Sequence, residues 1–215
     1  MYKRQEEELG EMNVPPPYWA FAWAGGQALA RYILDVPEAV AGKAVLDIGS
    51  GSGLVALAAK LAGAKSAMAN DIDPFANAAC ALNAKANRLT IEINGSNILD
   101  PYDDDADRAY HNAIGPAETI GSETLEGSTV SLVHDIASYN VICLGDTFYE
   151  EALAIDALFF IESAHAAGAR VLVGDPSRSY FPTEHFRKIT EYQVPVTREL
   201  EDNDIKNTAV WAYAG

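Results

Sequence analysis

The stretch VLDIGSGSG at residues 45–53 decides the fold, because an apolar strand pattern runs there into a glycine loop and then into an apolar helix at 54–61. Glycine lets the backbone pass close to a ligand in conformations that a Cβ would penalise. The helix that follows directs unpaired N–H groups at the loop. NDIDP at residues 70–74 ends the next apolar strand with carboxylates that can accept hydrogen bonds from a ribose diol. Together the two stretches predict a nucleoside-bearing cofactor at the carboxyl edge of a parallel sheet.

The spacing of the glycines indicates which cofactor binds. Gly49, Gly51 and Gly53 follow the pattern G-x-G-x-G, whereas a nicotinamide-binding loop usually follows G-x-G-x-x-G. Asp47 stands two residues before the first glycine, where a carboxylate suits a cofactor with a sulfonium and an ammonium better than a pyrophosphate. The pattern D-x-G-x-G-x-G resembles the first motif of the S-adenosylmethionine (SAM) methyltransferases built on a seven-strand sheet. We therefore predict SAM as the cofactor, in preference to a nicotinamide or to a glycine turn without a ligand.

Composition limits the possible partners. The chain has 215 residues and a formal net charge of −16. This charge argues against nucleic acid as a partner. It is compatible with a basic protein substrate, although solubility alone would also explain it. No apolar run approaches the ~20 residues needed to cross a bilayer. Cys80 and Cys143 lie in apolar contexts typical of reduced core residues, and the four histidines lack metal-ligand spacing. We expect an intracellular protein, cytoplasmic in a bacterium or in the mitochondrial matrix of a eukaryote.

The order of predicted elements defines the architecture. Alternating strands and helices predict a doubly wound, Rossmann-like sheet of seven strands, mostly parallel and with an antiparallel hairpin at one edge. One methyltransferase domain is predicted at 15–215, after a flexible arm at 1–14 and with an acidic surface insertion at 102–138 that we interpret as a solvated loop. Strands are predicted at 44–48, 67–70, 90–93, 140–144, 170–173, 192–197 and 208–213, and helices at 27–34, 54–61, 74–86, 150–164 and 183–190.

Cofactor contacts are expected just beyond the carboxyl ends of the strands, where open α/β sheets bind their ligands. Asp71 is the candidate for the ribose because it follows strand two directly, whereas Asp73, beside Pro74, is predicted to cap the next helix. Asn97 either reads the adenine edge through its amide or caps a turn. The residues that the pattern places at the cofactor are Asp47, Gly49, Ser50, Gly51, Gly53, Asp71, Ile72, Asn97, Ile98 and Leu144.

The stretch GDTFY at residues 145–149 offers a carboxylate, an aromatic face and a phenol where the methyl group would emerge. Methyl transfer is an in-line displacement at a sulfonium, so the protein mainly positions the reactants and excludes water. A lysine acceptor must be neutral to attack, yet its free pKa is ~10.4. We predict that Asp146 orients the incoming ammonium and that Tyr149 and Phe148 wall its channel. Asp146 can at the same time cap the helix that begins after Tyr149.

Four stretches carry a more specific resemblance. They are PYWAFAWAGGQAL at 17–29, GDTFY at 145–149, GDPSR at 174–178 and TAVW at 208–211. The set resembles the electron transfer flavoprotein β-subunit lysine methyltransferases, which belong to the seven-strand protein lysine methyltransferases. The similarity covers nearly the whole chain except the first dozen residues and the insertion at 102–138.

This resemblance implies a monomeric enzyme that methylates lysines beside the dehydrogenase-docking loop of the flavoprotein. It also implies that Trp23 and the adjoining glycines enclose the cofactor and that Asp146 and Tyr149 face the substrate. The insertion puts the substrate identity in doubt, so a methyltransferase for a ribosomal protein or a small amine stays open. A separate hypothesis is an assembly factor that binds SAM without catalysis, against which the intact glycine loop, Asp71 and Asp146 argue. Arg178 either contacts an acidic substrate segment or forms an ion pair with Asp175 or a helix end.

Overall fold

The computed structural model describes residues 17–99, 136–198 and 204–215. These residues form a seven-strand sheet in the order β3-β2-β1-β4-β5-β7-β6, with helices on both faces. Pairing is parallel from β3 through β5, whereas β7 is antiparallel to both β5 and β6. The strands are β1 (Ala44–Ile48), β2 (Ser66–Asn70), β3 (Glu92–Asn94), β4 (Val141–Gly145), β5 (Arg170–Asp175), β6 (Phe186–Pro195) and β7 (Ile205–Tyr213). The helices are α1 (Ala24–Asp35), α2 (Leu54–Leu61), α3 (Pro74–Ala86) and α4 (Glu151–Ala166). The predicted sheet with its antiparallel edge hairpin is confirmed.

Two cores lie on opposite faces of this sheet. Successive residues of a strand point to opposite faces, so Val141 and Cys143 of β4 join the core under α1 and α2. Ile142 and Leu144 of the same strand join the core under α4. A central strand covered on both sides is therefore apolar throughout, which is typical of parallel sheets. The packing fixes the carboxyl ends of β1, β4 and β5 side by side.

The predicted helix at 183–190 is wrong. Thr183–His185 is one 3₁₀ turn, and Phe186 begins the ten-residue strand β6. The strand carries a bulge between Lys188 and Thr190, which interrupts the alternation of apolar and polar residues. With that period broken, the sequence pattern of a strand is lost, although pairing with β7 holds the segment extended. The predicted strand at 192–197 overlaps the distal part of β6, which ends at Pro195.

Further expectations concern the two cysteines, membrane-spanning helices and the segments predicted at 1–14 and 102–138. Cys80 and Cys143 are buried and carry no disulfide, as predicted for core residues. Within the described ranges, no helix is long and apolar enough to cross a bilayer. The predicted arm at 1–14 and all but residues 136–138 of the predicted insertion lie outside the described residues.

Candidate active site

The loop after β1 is shaped by three glycines in the left-handed region, with φ of 63° at Gly49, 53° at Gly51 and 86° at Gly53. Side chains with a Cβ are strained there. Gly53 is constrained further because a Cβ would overlap the Cys80 sulfur. A Cβ at Gly49, by contrast, would meet no atom within 4 Å. The loop therefore presents open backbone on the side where a ligand can approach the first turn of α2.

Asp47 is buried beneath this loop and caps α2. Its Oδ2 accepts a hydrogen bond of 2.9 Å from the Ala56 N–H, while Gly53 at the N-cap position has no side chain to do so. Burial raises the pKa of Asp47 to about 7, against the lowering effect of the Ala56 N–H, and the charge of Asp71 adds to the rise. An attraction between Asp47 and the cationic cofactor stays a prediction. The structure adds that Asp47 caps the first turn of α2.

Replacing Asp47 with asparagine is expected to change how stability depends on pH. In the folded protein the pKa of Asp47 lies above its ordinary value of 3.8, so ionising this side chain destabilises the fold. The free energy of unfolding therefore falls as pH rises from about 4 to about 7 and is unaffected by this group above that range. Asparagine keeps an oxygen for the Ala56 N–H and never ionises. The free energy of unfolding of the wild type minus that of Asp47→Asn should therefore fall between pH 5 and pH 8. Urea titrations without SAM measure the two free energies of unfolding. If their difference is the same at pH 5 and pH 8, burial does not disfavour the ionised Asp47 carboxylate.

Asp71 links the glycine loop to the end of β2. Its Oδ2 accepts the Gly51 N–H at 2.8 Å and its Oδ1 accepts the Asp73 N–H at 3.0 Å. Each carboxylate oxygen has a second lone pair with which to accept a ribose hydroxyl. Asp73 accepts the Phe75 N–H at 2.7 Å and caps α3, which confirms the predicted cap. Ile72, between the two carboxylates, is exposed.

The end of β3 lies next to this carboxylate. The Asn70 amide donates to the carbonyl oxygens of Asn94 and Ser96, at 3.1 and 2.9 Å, and so holds the chain after β3 against β2. Asn97 and Ile98 follow directly and are half-buried. Their place at the sheet edge fits contact with the adenine, and both assignments stay predictions.

Asp146 follows β4 in a conformation unusual for a residue other than glycine, with φ of 56°. It is 6% exposed. Its Oδ2 accepts the Gly25 N–H, and its Oδ1 accepts Nε–H of Arg178 at 2.8 Å. The predicted cap on the following helix is wrong, because α4 begins at Glu151 and Asp146 caps α1 instead, where a negative charge meets the positive end of the helix.

The remaining residues of the β4 stretch divide between core and surface. Phe148 is fully buried, with ring centroids 5.1 Å from Phe181 and 6.2 Å from Phe186, so its predicted place in a lysine channel is wrong. Leu144 is also fully buried, so a cofactor contact there involves its backbone. Tyr149 is 53% exposed, and partial burial together with the charge of Glu150 raises the pKa of its phenol. Tyr149 alone remains as the aromatic candidate for the substrate side.

A contact between glycines, which the sequence reasoning missed, brings α1 to these strand ends. A Cβ on Gly25 would overlap the Gly174 carbonyl oxygen and lie 2.7 Å from the Asp146 nitrogen. A Cβ on Gly145 would lie 2.9 Å from the Gly26 Cα. The first turn of α1 therefore rests directly on β4 and β5. The signal in the sequence was a glycine at the end of each strand together with a glycine pair at the start of a helix.

The segment before α1 lies over the loop and the Asp146 site. Trp19 stacks on Phe75 at 6.4 Å between ring centroids, and a Cβ on Gly51 would lie 3.6 Å from the Trp19 Cα. Trp23 donates from Nε1 to the Tyr18 carbonyl oxygen at 2.8 Å and lies under the Arg178 guanidinium, 5.8 Å from ring centroid to Cζ. Arg178 thus links Trp23 to Asp146, and the roles that the resemblance implied for these two residues stay predictions.

Unpartnered buried atoms mark the same edge of the sheet. Among the described residues, Ser50 Oγ after β1, Thr147 Oγ1 after β4 and Asp175 Oδ2 at the end of β5 are buried without a hydrogen-bond partner. Asn77 Oδ1 is another, in a side chain whose amide donates to the Asp71 carbonyl oxygen. Buried polar atoms normally have partners. Orphaned atoms, an open glycine loop and the Asp71 carboxylate together fit a polar nucleoside cofactor.

A sheet of this order with a glycine loop after β1 and a carboxylate after β2 defines a SAM-dependent methyltransferase. Two solved structures share the fold. The putative methyltransferase yhhF from Escherichia coli has a TM-score of 0.50 and 12% identity, covering 88% of this chain and 86% of that one. Streptococcus pneumoniae Sp1610, a putative tRNA (m1A22) methyltransferase in complex with SAM, has a TM-score of 0.51 and 14% identity, covering 88% and 72%.

The chain belongs to the electron transfer flavoprotein β-subunit lysine methyltransferase family. It is 37% identical over 203 residues to the Rattus norvegicus member, covering 92% of this chain and 67% of that protein, and 36% identical to the Homo sapiens member, covering 92% and 65%. A family model for ribosomal protein L11 methyltransferase (PrmA) matches residues 28–111.

Proposed function

We propose that this protein transfers methyl groups from SAM to lysine side chains of the electron transfer flavoprotein β subunit. The observation that carries the proposal is the extent of the similarity, since relatives named for that activity match 92% of the chain. The match includes GDTFY at 145–149 and GDPSR at 174–178, the two stretches that supply Asp146 and Arg178. We assign these residues to the substrate side of the site, apart from the cofactor loop.

The cofactor supplies a methyl group on a positively charged sulfur. On its side of the site, Asp71 is placed to accept the ribose hydroxyls and Ser50 Oγ to bond a further polar group. The buried charge of Asp47, when ionised, favours a cationic ligand nearby. Trp23, on the segment that crosses the loop, closes the site against water, which methyl transfer requires.

On the substrate side, Asp146 and Tyr149 are the proposed catalytic residues. The Asp146 carboxylate, held by Arg178 and the Gly25 N–H, supplies the negative charge that attracts and orients the ammonium of an incoming lysine. The exposed phenol of Tyr149 offers an aromatic wall for the lysine stem. The ammonium loses its proton to solvent before the amine attacks.

Charge and burial support the proposed partners. A formal charge of −16, from 31 acidic and 15 basic side chains, attracts lysine-rich protein surfaces and repels nucleic acid. We propose a monomer that acts in a reducing compartment, the cytoplasm of a bacterium or the mitochondrial matrix of a eukaryote, where the thiols of Cys80 and Cys143 stay reduced.

A second candidate substrate is ribosomal protein L11. The L11 methyltransferase of Geobacillus thermodenitrificans is 37% identical over 90 residues, which cover 41% of this chain and 27% of that protein. The L11 methyltransferase family model ends at residue 111, before Asp146 and Tyr149, whereas the relatives named for the flavoprotein match 92% of the chain. Asp146 and Tyr149, the residues assigned to the acceptor side, thus lie outside the L11 family model, which favours the flavoprotein as substrate.

A competition experiment separates the two substrates. Purified flavoprotein β subunit and L11 are incubated together in equal amounts with this protein and methyl-labelled SAM, and a mixture without the protein serves as control. We expect the label on the β subunit. Label on L11 alone would overturn the proposed substrate while leaving the methyltransferase class intact.

A further inference from the structure

Arg178 joins three separate segments of the chain at the carboxyl edge. Its backbone N–H donates to Asp175 Oδ1 at the end of β5, at 2.8 Å. Its guanidinium donates from Nε and Nη2 to Asp146 Oδ1 after β4, at 2.8 and 2.5 Å. The same group lies over the ring of Trp23, in the segment before α1. One residue, through its backbone N–H and its guanidinium, therefore connects two strand ends and the segment that crosses them.

Burial makes this ion pair stronger than a surface pair. The Arg178 and Asp146 side chains are 20% and 7% exposed, whereas those of the Arg198–Asp204 pair are 70% and 67% exposed. Exposed pairs contribute little to stability because water screens them, and the attraction grows as the local dielectric constant falls. Losing Arg178 would leave the buried carboxylate of Asp146 without this cation.

The groups around Arg178 suit a guanidinium better than an ammonium. The cation stands among the carboxylates of Asp146 and Asp175, the indole of Trp23 and the positive end of α1. A planar guanidinium can donate two N–H groups to one carboxylate while its face lies on an aromatic ring. An ammonium carries the same charge but is a point donor on a flexible stem. Lysine at position 178 would keep the charge and lose the fixed geometry.

We propose that Arg178 is a positioning residue for methyl transfer, which fastens the Trp23 ring to Asp146 and so sets the distance between the wall of the cofactor site and the carboxylate that receives the lysine. The proposal rests on the proposed function, which places the cofactor at Trp23 and the acceptor at Asp146. Arg178 acts through these two residues and touches neither reactant. The sequence left open a contact with an acidic substrate segment or an ion pair with Asp175 or a helix end; in the structure the backbone N–H of Arg178 binds Asp175 and its guanidinium pairs with Asp146.

The test compares Arg178→Lys and Arg178→Gln with the wild type, with Arg198→Gln as the control that removes an exposed Arg–Asp pair. For each we measure kcat and KM on the flavoprotein β subunit, the SAM dissociation constant by calorimetry, the melting temperature, and the tryptophan emission that Trp23→Phe removes. We expect kcat to fall about tenfold or more in both Arg178 variants, the size of effect that misplacement of reactants produces. SAM affinity should change less than about threefold (under about 0.7 kcal/mol), the Trp23 emission should shift, and Arg198→Gln should match the wild type.

Two results would overturn the proposal. If Arg178→Lys restores the wild-type kcat, the charge alone is sufficient and the geometry is not used. If the Trp23 emission of Arg178→Gln is unchanged, Arg178 does not hold that ring. The emission measurement needs no acceptor, so it decides the role of Arg178 even if the wild type fails to methylate the β subunit, a failure that would count against the proposed function instead.

Discussion

Gly25→Ala is expected to destabilise the protein by about 3 kcal/mol or more, the upper range for inserting atoms into a packed site. The new Cβ would overlap the Gly174 carbonyl oxygen and lie 2.5 Å from Asp146 Oδ2. Its closest neighbour is backbone, which cannot rotate away as a flexible side chain can. α1 must therefore move off β4 and β5, and the bond from the Gly25 N–H to Asp146 is lost with it. Thermal melting followed by circular dichroism measures the effect.

The adjacent glycine provides the matched control. A Cβ on Gly26 would meet no atom within 4 Å, and alanine is more favourable than glycine in a helix by about 1 kcal/mol. Gly26→Ala should therefore melt at the wild-type temperature or above it. Equal melting temperatures for the two variants would contradict the close contact between α1 and the strand ends.

Asp146→Asn is expected to lower the methylation rate by at least about 100-fold, which corresponds to about 2.7 kcal/mol of transition-state stabilisation. The amide is nearly isosteric and can still accept one hydrogen bond, but it carries no charge to hold an ammonium or to balance Arg178. SAM affinity should persist, because Asp71 and the glycine loop are untouched. Initial rates on the flavoprotein β subunit and calorimetry with SAM measure the two effects separately.

Asp204→Asn is the control for this variant, since it removes a carboxylate that pairs with an arginine on the exposed surface. It should leave both rate and affinity at wild-type values. Full activity of Asp146→Asn would exclude Asp146 from the reaction and would leave it with the structural role of capping α1.

The parts of the fold that local patterns specify were predictable from the sequence. The predicted bounds of β1, α2 and α3 coincide with those in the structure. Each of these elements is mostly apolar, and the two helices begin beside a glycine loop or a capping Asp73–Pro74 pair. The first half of β6 was predicted as a helix because its bulge breaks the alternation of apolar and polar residues that identifies a strand.

The candidate site was predictable in its residues but not in its contacts. Asp146 and Arg178 were marked by their places after strands, and Trp23 by the family resemblance alone. Their mutual arrangement depends on Gly25, which lies 121 residues from Asp146 in the chain. No local pattern encodes a contact over that separation. For the same reason Phe148 was placed in a channel, although its ring completes the core with Phe181 and Phe186.

Intact-mass spectrometry of purified flavoprotein β subunit, incubated with this protein and SAM, tests the proposed lysine methylation. We expect mass increases in steps of one methyl group, located on lysine by fragmentation and absent when Asp146→Asn replaces the wild type. An unchanged mass, with SAM binding by the same preparation confirmed by calorimetry, would contradict the proposed substrate.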